Sequence, residues 1–343
     1  MSGQVGDPRA GEVAAPGPVA PDPLAPLLDP GAAAPDPLAP LLAGGRVVVI
    51  DGGLATELEH AGHHLGDDLW SARLLADEPE AIVAAHLAYY RAGARVAITA
   101  SYQATFEGFA ARGLDHAEAA ALLRRSVMLA AEARARYRTE LNPADPGPLL
   151  VAASVGPYGA WLADGAEYHG RYGLDLRTLR DFHRERLEVL WSAGPDLLAC
   201  ETIPDVVEVR ALADVLDEAA APAWLALSCA DGGHLRDGTP VEEAAAIADA
   251  TRGFVAVGVN CTAPEHVEEL VTRIAAVTAK PVVVYPNSGE GWESATGRWL
   301  PATGPDVDVA TTSRWVLAGA RLVGGCCRVG PGQISELAAA FGG

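Results

Sequence analysis

Short apolar segments alternate with longer amphipathic segments along most of the chain. The segments between the apolar ones, such as PEAIVAAHLAYYRAG, place apolar residues at helical spacing. Strands that are apolar throughout and alternate with helices are typical of a parallel sheet buried on both faces. The strand-like segments are RVVVID (46–51), ARVAIT (94–99), LLVAAS (149–154), DLLACE (196–201), AWLALS (223–228), FVAVGVN (254–260), PVVVYP (281–286) and ARLVGG (320–325).

Eight such strand and helix units in about 300 residues predict an α/β fold of the (β/α)8, or TIM barrel, class as a single domain. The alternative is a doubly wound parallel sheet. That fold carries the motif GxGxxG after its first strand when it binds a dinucleotide. This chain has DGGLAT there instead, so we expect the barrel.

The first part of the chain has a different composition. Residues 1–35 are rich in Pro, Ala, Gly and Asp without periodicity, which predicts a disordered leader before a barrel domain at 36–343. The octet PDPLAPLL occurs at 21–28 and again at 35–42. Two copies are too few for a solenoid, and we interpret them as a local duplication. The second copy is compatible with a short helix that caps the fold.

Composition and charge narrow the class of function. The formal net charge of −20 argues against a nucleic-acid partner, because phosphate binding needs clustered Lys and Arg. No apolar run approaches the roughly 20 residues that cross a bilayer, and no secretory signal is visible. We therefore expect a cytoplasmic protein without a membrane partner. Five cysteines in that compartment favour thiols or metal ligands over disulfides.

Chemically reactive residue types cluster where the predicted strands end. In a barrel, the C-terminal ends of the strands form the catalytic face. We expect residues that are distant in sequence to meet there. The candidates are Asp51, Gly52, Gly53, Thr99, Tyr102, Gln103, Glu201, Cys261, Asn287, Cys326 and Cys327.

Cys261, Cys326 and Cys327 predict a zinc site. Three thiolates leave one position of a tetrahedral zinc ion open, as catalytic zinc requires. Such a net-negative centre is a poor Lewis acid for water but suits a fourth sulfur held as thiolate, so an alkyl donor is the expected partner. The alternative for Cys326 and Cys327 is a buried apolar pair. The two preceding glycines, the following arginine and the third cysteine favour the metal. Cys200 and Cys229 are interpreted as core residues.

Two other clusters have structural alternatives. His60, His63 and His64 form a competing metal constellation, but they lie beyond the first helix, which is typical of a solvated turn. The aromatic residues of YHGRY (168–172) could form a wall that accepts a cation. Packing at the barrel rim is the favoured interpretation for them.

Asp51 and Glu201 are candidates for binding an amino-acid substrate. Their carboxylates could accept hydrogen bonds from its ammonium group, and the N–H groups of Gly52 and Gly53 could hold its carboxylate. Asp51 could equally cap the helix after the first strand, because Asp is a preferred N-cap. The structural alternative is weaker for Glu201, since an ionised side chain that ends an apolar run is costly to bury without a partner.

Nine stretches, in order along residues 36–339, resemble the cobalamin-independent homocysteine S-methyltransferases, especially the bacterial type that uses S-methylmethionine. They are DGGLATELE, DDLWSARLL, AITASYQATFEGFAARGL, SVGPYGAWLADGAEY, LLACETIP, DGTP, GVNC, VVYPNSGE and ARLVGGCCR. The resemblance implies a (β/α)8 barrel whose zinc ion is bound by Cys261, Cys326 and Cys327. It also implies that Asn287 lies close to the metal. The residues implied to line the homocysteine pocket are Asp51, Thr99, Tyr102 and Glu201.

The resemblance also implies a reaction. A methyl group would pass directly from a sulfonium donor, S-methylmethionine or S-adenosylmethionine, to the thiolate of L-homocysteine, giving methionine. Betaine-using relatives share the metal motifs, whereas TASYQAT and CETIP look like the S-methylmethionine branch. Selenohomocysteine is an alternative acceptor. The rivals from other classes are a zinc hydrolase, which would use His and carboxylate ligands, and a non-catalytic thiol- or zinc-binding protein. The oligomeric state is left open.

Overall fold

The structure is a computed structural model that describes residues 36–63, 65, 70–141, 147–162, 164–289, 291–293, 298–300 and 306–342. Its main sheet has the strand order β1-β8-β7-β6-β5-β4-β3-β2, and every neighbouring pair is parallel. A parallel bridge between Ile50 and Val96 joins β1 to β2 and closes the barrel. The predicted (β/α)8 barrel is confirmed. The strands are β1 (Val48–Val49), β2 (Val96–Ile98), β3 (Leu150–Val155), β4 (Leu197–Ile203), β5 (Ala223–Leu227), β6 (Phe254–Asn260), β7 (Val282–Tyr285) and β8 (Ala320–Val323).

Helices follow each strand and surround the barrel. A short antiparallel hairpin, Gly291–Glu293 with Arg298–Leu300, follows β7. Within the described ranges, no helix is long and apolar enough to cross a membrane. The α-helices are α1 (Ala39–Leu42), α2 (Leu54–His60), α3 (Trp70–Asp77), α4 (Pro79–Arg91), α5 (Phe106–Ala110), α6 (His116–Glu140), α7 (Tyr158–Leu162), α8 (Leu176–Ser192), α9 (Val206–Ala219), α10 (Val241–Ala250), α11 (Pro264–Ala275), α12 (Val309–Ala318) and α13 (Pro331–Phe341), with 3-10 turns at Ala43–Gly45 and Ala166–Tyr168.

Aspartates begin several of the outer helices. The side chain of Asp115 accepts from the N–H of Glu118, whose own carboxylate accepts from the Asp115 N–H, and this capping box starts α6. Asp175, Asp205 and Asp308 cap α8, α9 and α12 in the same way, each accepting from a first-turn N–H. Some of the acidic residues of the chain therefore cap the N-terminal ends of helices.

Alternating residues of each strand enter two different cores. In β4, Leu197 and Ala199 face the barrel interior, while Leu198 and Cys200 face the surrounding helices. Cys229, after β5, is buried in the same outer core. The interpretation of Cys200 and Cys229 as core residues is confirmed.

The second PDPLAPLL octet closes the N-terminal end of the barrel. Its short helix α1 buries Leu38 and Leu41 against the interior residues of the strands. The N–H of Leu38 donates to the Asp36 carboxylate at 2.8 Å, and Arg46 donates to the carbonyl of Pro40 at 2.7 Å. The expected short capping helix is confirmed. The predicted disordered leader, 1–35, and the first octet lie outside the described residues.

Candidate active site

A cavity of about 160 Å³ opens among the C-terminal ends of the strands. This is the face where a barrel carries its chemistry. The sequence-predicted residues on its wall are Gly52, Gly53, Thr99, Tyr102, Gln103, Glu201, Cys261, Cys326 and Cys327. The remaining wall residues are Leu54, Ala55, Thr56, Ile98, Ala100, Tyr168, Thr202, Asn260, Tyr285 and Gly325.

Three cysteines meet on one side of the cavity. The sulfur atoms of Cys261, Cys326 and Cys327 lie within 4.8 Å of one another, and such a group could hold a metal ion. Cys261 and Cys326 are joined as a disulfide with their Cα atoms 5.7 Å apart, and Cys327 is a free thiol. The expectation of thiols is therefore wrong for this pair, whereas the other half of that expectation, cysteines placed so that they could hold a metal ion, agrees with the group of three. The barrel brings the ends of β6 and β8 within the Cα separation at which two cysteines can bond.

Backbone hydrogen bonds fix the loop that carries Cys326 and Cys327. The N–H of Cys326 donates to the carbonyl of Pro286 at 2.8 Å, and the N–H of Gly325 donates to that of Asp51 at 3.1 Å. The N–H of Ser288 donates to the carbonyl of Cys327 at 3.1 Å. The cysteine pair is thus tied to the ends of both β7 and β1.

Cys261 is held in a left-handed backbone conformation, with φ of 42°. Few residues other than glycine adopt it without support. The support comes from Thr262, whose hydroxyl donates to the carbonyl of Asn260 at 2.9 Å and accepts from the N–H of Cys229 at 3.0 Å. This network directs the end of β6 toward the other two cysteines.

Glu201, at the C-terminal end of β4, is 7% exposed and lies on the cavity wall. Its carboxyl group accepts hydrogen bonds from the hydroxyls of Ser154 and Tyr285. Trp224 Nε1 donates to Tyr285 Oη at 3.0 Å and so orients that hydroxyl. Burial raises the pKa of Glu201 to about 7, against the lowering effect of the two hydroxyls. A carboxyl with a pKa near neutrality in a cavity is a candidate functional group.

Asp51 lies behind the cavity wall, 1% exposed. Its Oδ2 accepts from the N–H of Ile98 at 2.7 Å, while Oδ1 is buried with no hydrogen-bond partner among the described residues. It does not cap α2, because the N-cap is Gly53 and no side chain bonds there. Burial raises the pKa of Asp51 above its ordinary value, and the nearby charge of Glu201 adds to that increase.

Gly52 and Gly53 are required by close packing. A Cβ atom on Gly52 would lie 2.4 Å from the carbonyl oxygen of Val329, and one on Gly53 would lie 2.6 Å from that of Cys326. The N–H of Gly53 donates to the carbonyl of Val329 at 2.9 Å. The expectation that this N–H is available for a substrate carboxylate is therefore wrong, because the loop after β8 already uses it.

The other predicted residues take different positions. The Thr99 hydroxyl bonds that of Ser101 at 2.7 Å and accepts from the N–H of Ser154 at 2.9 Å, so it also organises the strand ends. Gln103 Oε1 and Asn287 Oδ1 are buried without hydrogen-bond partners in the described part of the chain. Gln103 and Tyr102 line the cavity, whereas Asn287 does not.

Asn260 and Thr202 lie on the cavity wall, although neither was among the predicted site residues. Asn260 Oδ1 accepts from the N–H of Thr202 at 2.7 Å, and its Nδ2 donates to the Thr202 hydroxyl at 2.8 Å. These bonds support the left-handed φ of 61° at Thr202, directly after Glu201. The signal that could have found Asn260 is its position at the end of β6, immediately before Cys261.

The competing histidine cluster does not form a metal site in the described residues, where the three cysteines are the only group with that geometry. His63 Nδ1 instead lies 2.8 Å from the Glu78 carboxylate, and His64 falls outside the described positions.

Comparison with known proteins adds to this geometry. The sequence profile of the homocysteine S-methyltransferase family matches residues 48–341. The homocysteine S-methyltransferase YbgG of Bacillus subtilis (strain 168) is 47% identical over 298 residues, covering 85% of this chain and 94% of that protein. The chain belongs to the homocysteine S-methyltransferase family.

Two further members extend the comparison within the homocysteine S-methyltransferase family. The crystal structure of the homocysteine methyltransferase MmuM from Escherichia coli, in its metallated form, has a TM-score of 0.80 and 46% identity, covering 89% of this chain and 99% of that one. The selenocysteine Se-methyltransferase of Brassica oleracea var. italica is 47% identical over 305 residues, covering 85% of this chain and 88% of that protein. The family and the methyltransferase class predicted from sequence are both confirmed.

Proposed function

We propose that the protein transfers a methyl group from a sulfonium donor to L-homocysteine in a zinc-dependent reaction that forms methionine. The donor is S-methylmethionine, and S-adenosylmethionine is a second donor to test. The observation that carries this proposal is the group of three cysteine sulfurs within 4.8 Å on the wall of the cavity, in a chain of this family.

The cysteine geometry fits zinc. A tetrahedral zinc ion with Zn–S bonds of about 2.3 Å keeps its sulfur atoms about 3.8 Å apart. The three sulfurs lie within 4.8 Å of one another, and the bonded pair would have to separate to the zinc spacing after reduction. Before the three cysteines can bind zinc, the disulfide between Cys261 and Cys326 must be reduced and the Cys327 thiol must be ionised. Burial raises the pKa of Cys327 to about 11, so this thiol needs a bound cation to become a thiolate near neutral pH.

Cys261, Cys326 and Cys327 would hold the zinc ion, which when bound supplies a position that keeps the substrate sulfur as thiolate. Glu201 and Asp51 would receive the ammonium group of homocysteine. Both carboxyl groups are almost completely buried, and Asp51 Oδ1 is without a partner in the described structure. A buried polar atom of this kind needs a hydrogen-bond donor, and the substrate would provide one.

The remaining predicted residues would shape the pocket. Thr99, Tyr102 and Gln103 would form its wall, with the N–H of Gly52 toward the substrate carboxylate. Asn287 is proposed to lie beside the metal, with its unpartnered Oδ1 available. By fixing these groups, the strand ends would align the thiolate with the methyl carbon at near-attack distance.

The transfer step needs no acid catalyst. A bond forms between the homocysteine sulfur and the methyl carbon while the bond from that carbon to the donor sulfur breaks. The electron pair of the broken bond stays on the donor, which leaves as a neutral thioether. A site rich in thiolate and carboxylate charge would also favour the cationic donor over its neutral product.

Selenohomocysteine is the alternative acceptor, supported by the 47% identity to a selenocysteine Se-methyltransferase. A selenolate would bind the same zinc position. The proposed domain organisation assigns homocysteine binding to 36–343, with 1–35 as a leader.

A donor panel tests the proposed function. The zinc-loaded protein would be incubated with homocysteine and S-methylmethionine, S-adenosylmethionine or betaine, and methionine followed by chromatography. We expect methionine from S-methylmethionine and none from betaine. Methionine formed only from betaine would overturn the donor assignment, and none from any donor would support a hydrolase or a binding protein.

A further inference from the structure

Two loops meet over the cavity at Tyr168. This tyrosine lies in the 3-10 turn Ala166–Tyr168 between β3 and α8, lines the cavity and is 37% exposed. The guanidinium group of Arg236, from the loop after β5, lies 5.6 Å from the centre of its ring. Tyr168 is the cavity-wall residue of this group, and two charged residues lie next to it, Glu167 in sequence and Arg236 in space.

Glu167 is an acid without a cationic partner. Its Oε2 is buried and has no hydrogen-bond partner, and no ion pair is formed, among the described residues. A Cβ atom on Gly159 would lie 2.5 Å from the Glu167 nitrogen, so α7 packs tightly against the backbone that carries this side chain.

The charge of Glu167 acts on residues of the cavity wall. It raises the pKa values of Tyr102 and Tyr168, although burial is the larger cause for both. Both tyrosines line the cavity. The carboxylate therefore lies close enough to this part of the wall to act on it electrostatically.

Arg236 supplies the positive charge next to Tyr168, as Glu167 supplies the negative one. It is half-buried, its Nε donates to the Ser228 hydroxyl at 3.2 Å, and no carboxylate of the described chain pairs with it. Arg171 anchors the loop that carries Tyr168, because its N–H donates to Asp205 Oδ2 at 2.8 Å and its Nε donates to the Asp237 carbonyl at 2.7 Å.

We propose that Glu167 and Arg236, the two charged residues next to Tyr168, bind the ammonium and carboxylate groups of an α-amino-acid sulfonium, and so form the methyl-donor subsite. This inference rests on the proposed function and names the part of the site that recognises the donor. Two opposite charges that are paired with nothing else in the described structure match the two charges of a zwitterion. The rings of Tyr168 and Tyr102 provide the surface against which a sulfonium is stabilised.

The subsite separates donor classes. An α-amino-acid sulfonium carries both an ammonium and a carboxylate group. Betaine and 3-dimethylsulfoniopropionate carry a carboxylate but no separate ammonium. Glu167 would therefore select for the amino acid, whereas Arg236 would contribute to the binding of all of them.

The test compares Glu167→Gln, Arg236→Gln and the control Asp164→Asn, which removes an exposed charge from the same loop and keeps an oxygen for the Ala166 N–H. The KM for S-methylmethionine is measured at saturating homocysteine, with dimethylsulfoniopropionate as a competitive inhibitor. Direct binding of S-methylmethionine is measured by calorimetry. Melting curves and zinc content show whether each variant is folded and loaded.

For Glu167→Gln we expect the KM and Kd for S-methylmethionine to rise about 10- to 100-fold, the loss typical of a charge-assisted hydrogen bond. The inhibition constant of dimethylsulfoniopropionate should change less than about twofold. Arg236→Gln should weaken both ligands, and Asp164→Asn neither. An unchanged KM and Kd in folded, zinc-loaded Glu167→Gln would overturn the subsite while leaving the proposed function intact. Absence of methyl transfer by the wild-type protein would instead reject the proposed function.

Discussion

Oδ2 of Asp51, at the end of β1, accepts a hydrogen bond of 2.7 Å from the backbone N–H of Ile98 in β2. The bond crosses the seam where the barrel closes, next to the single bridge between Ile50 and Val96. Asp51 therefore has a structural role at the seam as well as the proposed role toward the substrate ammonium. Two substitutions can separate these roles.

Asp51→Asn keeps an oxygen for the Ile98 N–H but removes the charge, whereas Asp51→Ala leaves that part-buried N–H without this partner. We expect Asp51→Ala to lower the free energy of unfolding by about 1–3 kcal/mol relative to Asp51→Asn. Both variants should lose homocysteine kcat/KM. Denaturant unfolding measures the first effect. Equal stability of the two variants would contradict the structural role.

Cys261→Ala should remove the bound zinc and leave the barrel folded. Metal binding depends on the cysteine at the end of β6, while the fold depends on the strands and helices. Metal analysis and circular dichroism check the two parts. The matched control is Cys229→Ala, a buried cysteine of the outer core, which should retain the metal. Full zinc content in Cys261→Ala would contradict its assignment as a ligand.

Glu201→Gln should raise the homocysteine KM about 10- to 100-fold without changing the zinc content, because it removes a charge from the ammonium site. A thiol without the amino group, 4-mercaptobutyrate, should be a poor substrate for the wild type and lose little more in the variant. Equal losses for both thiols would show that Glu201 acts on the fold or the metal.

The pH dependence follows from the pKa of Glu201, raised by burial to about 7. Below that pH the carboxyl is neutral, so homocysteine kcat/KM should fall up to about tenfold per pH unit on the acid side. The contribution of Glu201 to the free energy of unfolding has the opposite pH dependence. It is fully present below the ordinary pKa of 4.5 and is lost as pH rises through 7, because the folded state disfavours the ionised carboxylate. Glu201→Gln should remove both dependences. Persistence of the wild-type profiles would assign them to other groups.

The sequence was sufficient for the barrel and the cysteine cluster because both depend on local patterns. Apolar strands alternate with helices, Cys261 directly follows β6, and Cys326 and Cys327 follow β8 after two glycines. Details that depend on the register between strands could not be read in this way. Whether Asp51 caps α2 or bonds Ile98 is decided by neighbours 47 residues away in sequence.

The same limit applies to the partners of Glu201 and to the donor subsite. Ser154 and Tyr285 reach Glu201 from β3 and β7, and Arg236 meets Tyr168 from a different loop. None of these contacts has a characteristic spacing in sequence. For the Gly53 N–H, the sequence suggested a free donor that the folded chain does not have. The loop after β8 packs against Gly53, and its N–H donates to the carbonyl of Val329 in that loop.

Removing residues 1–33 should leave activity and melting temperature nearly unchanged, because a segment with this composition buries little apolar surface. Leu38→Asp in the full chain should instead destabilise the barrel by several kcal/mol, since Leu38 is completely buried in the barrel interior. Thermal unfolding checks both. A large loss on truncation would show that the leader packs against the fold.

The most direct test of the account is zinc K-edge X-ray absorption of the reduced, zinc-loaded protein with and without homocysteine. We predict three sulfur ligands and one lighter ligand in the free protein, and four sulfur ligands at about 2.3 Å after homocysteine is added. Homoserine, which lacks the thiol, should leave the spectrum of the free protein unchanged. Fewer than three sulfur ligands in the free protein, or no added sulfur with homocysteine, would contradict thiolate activation at this site.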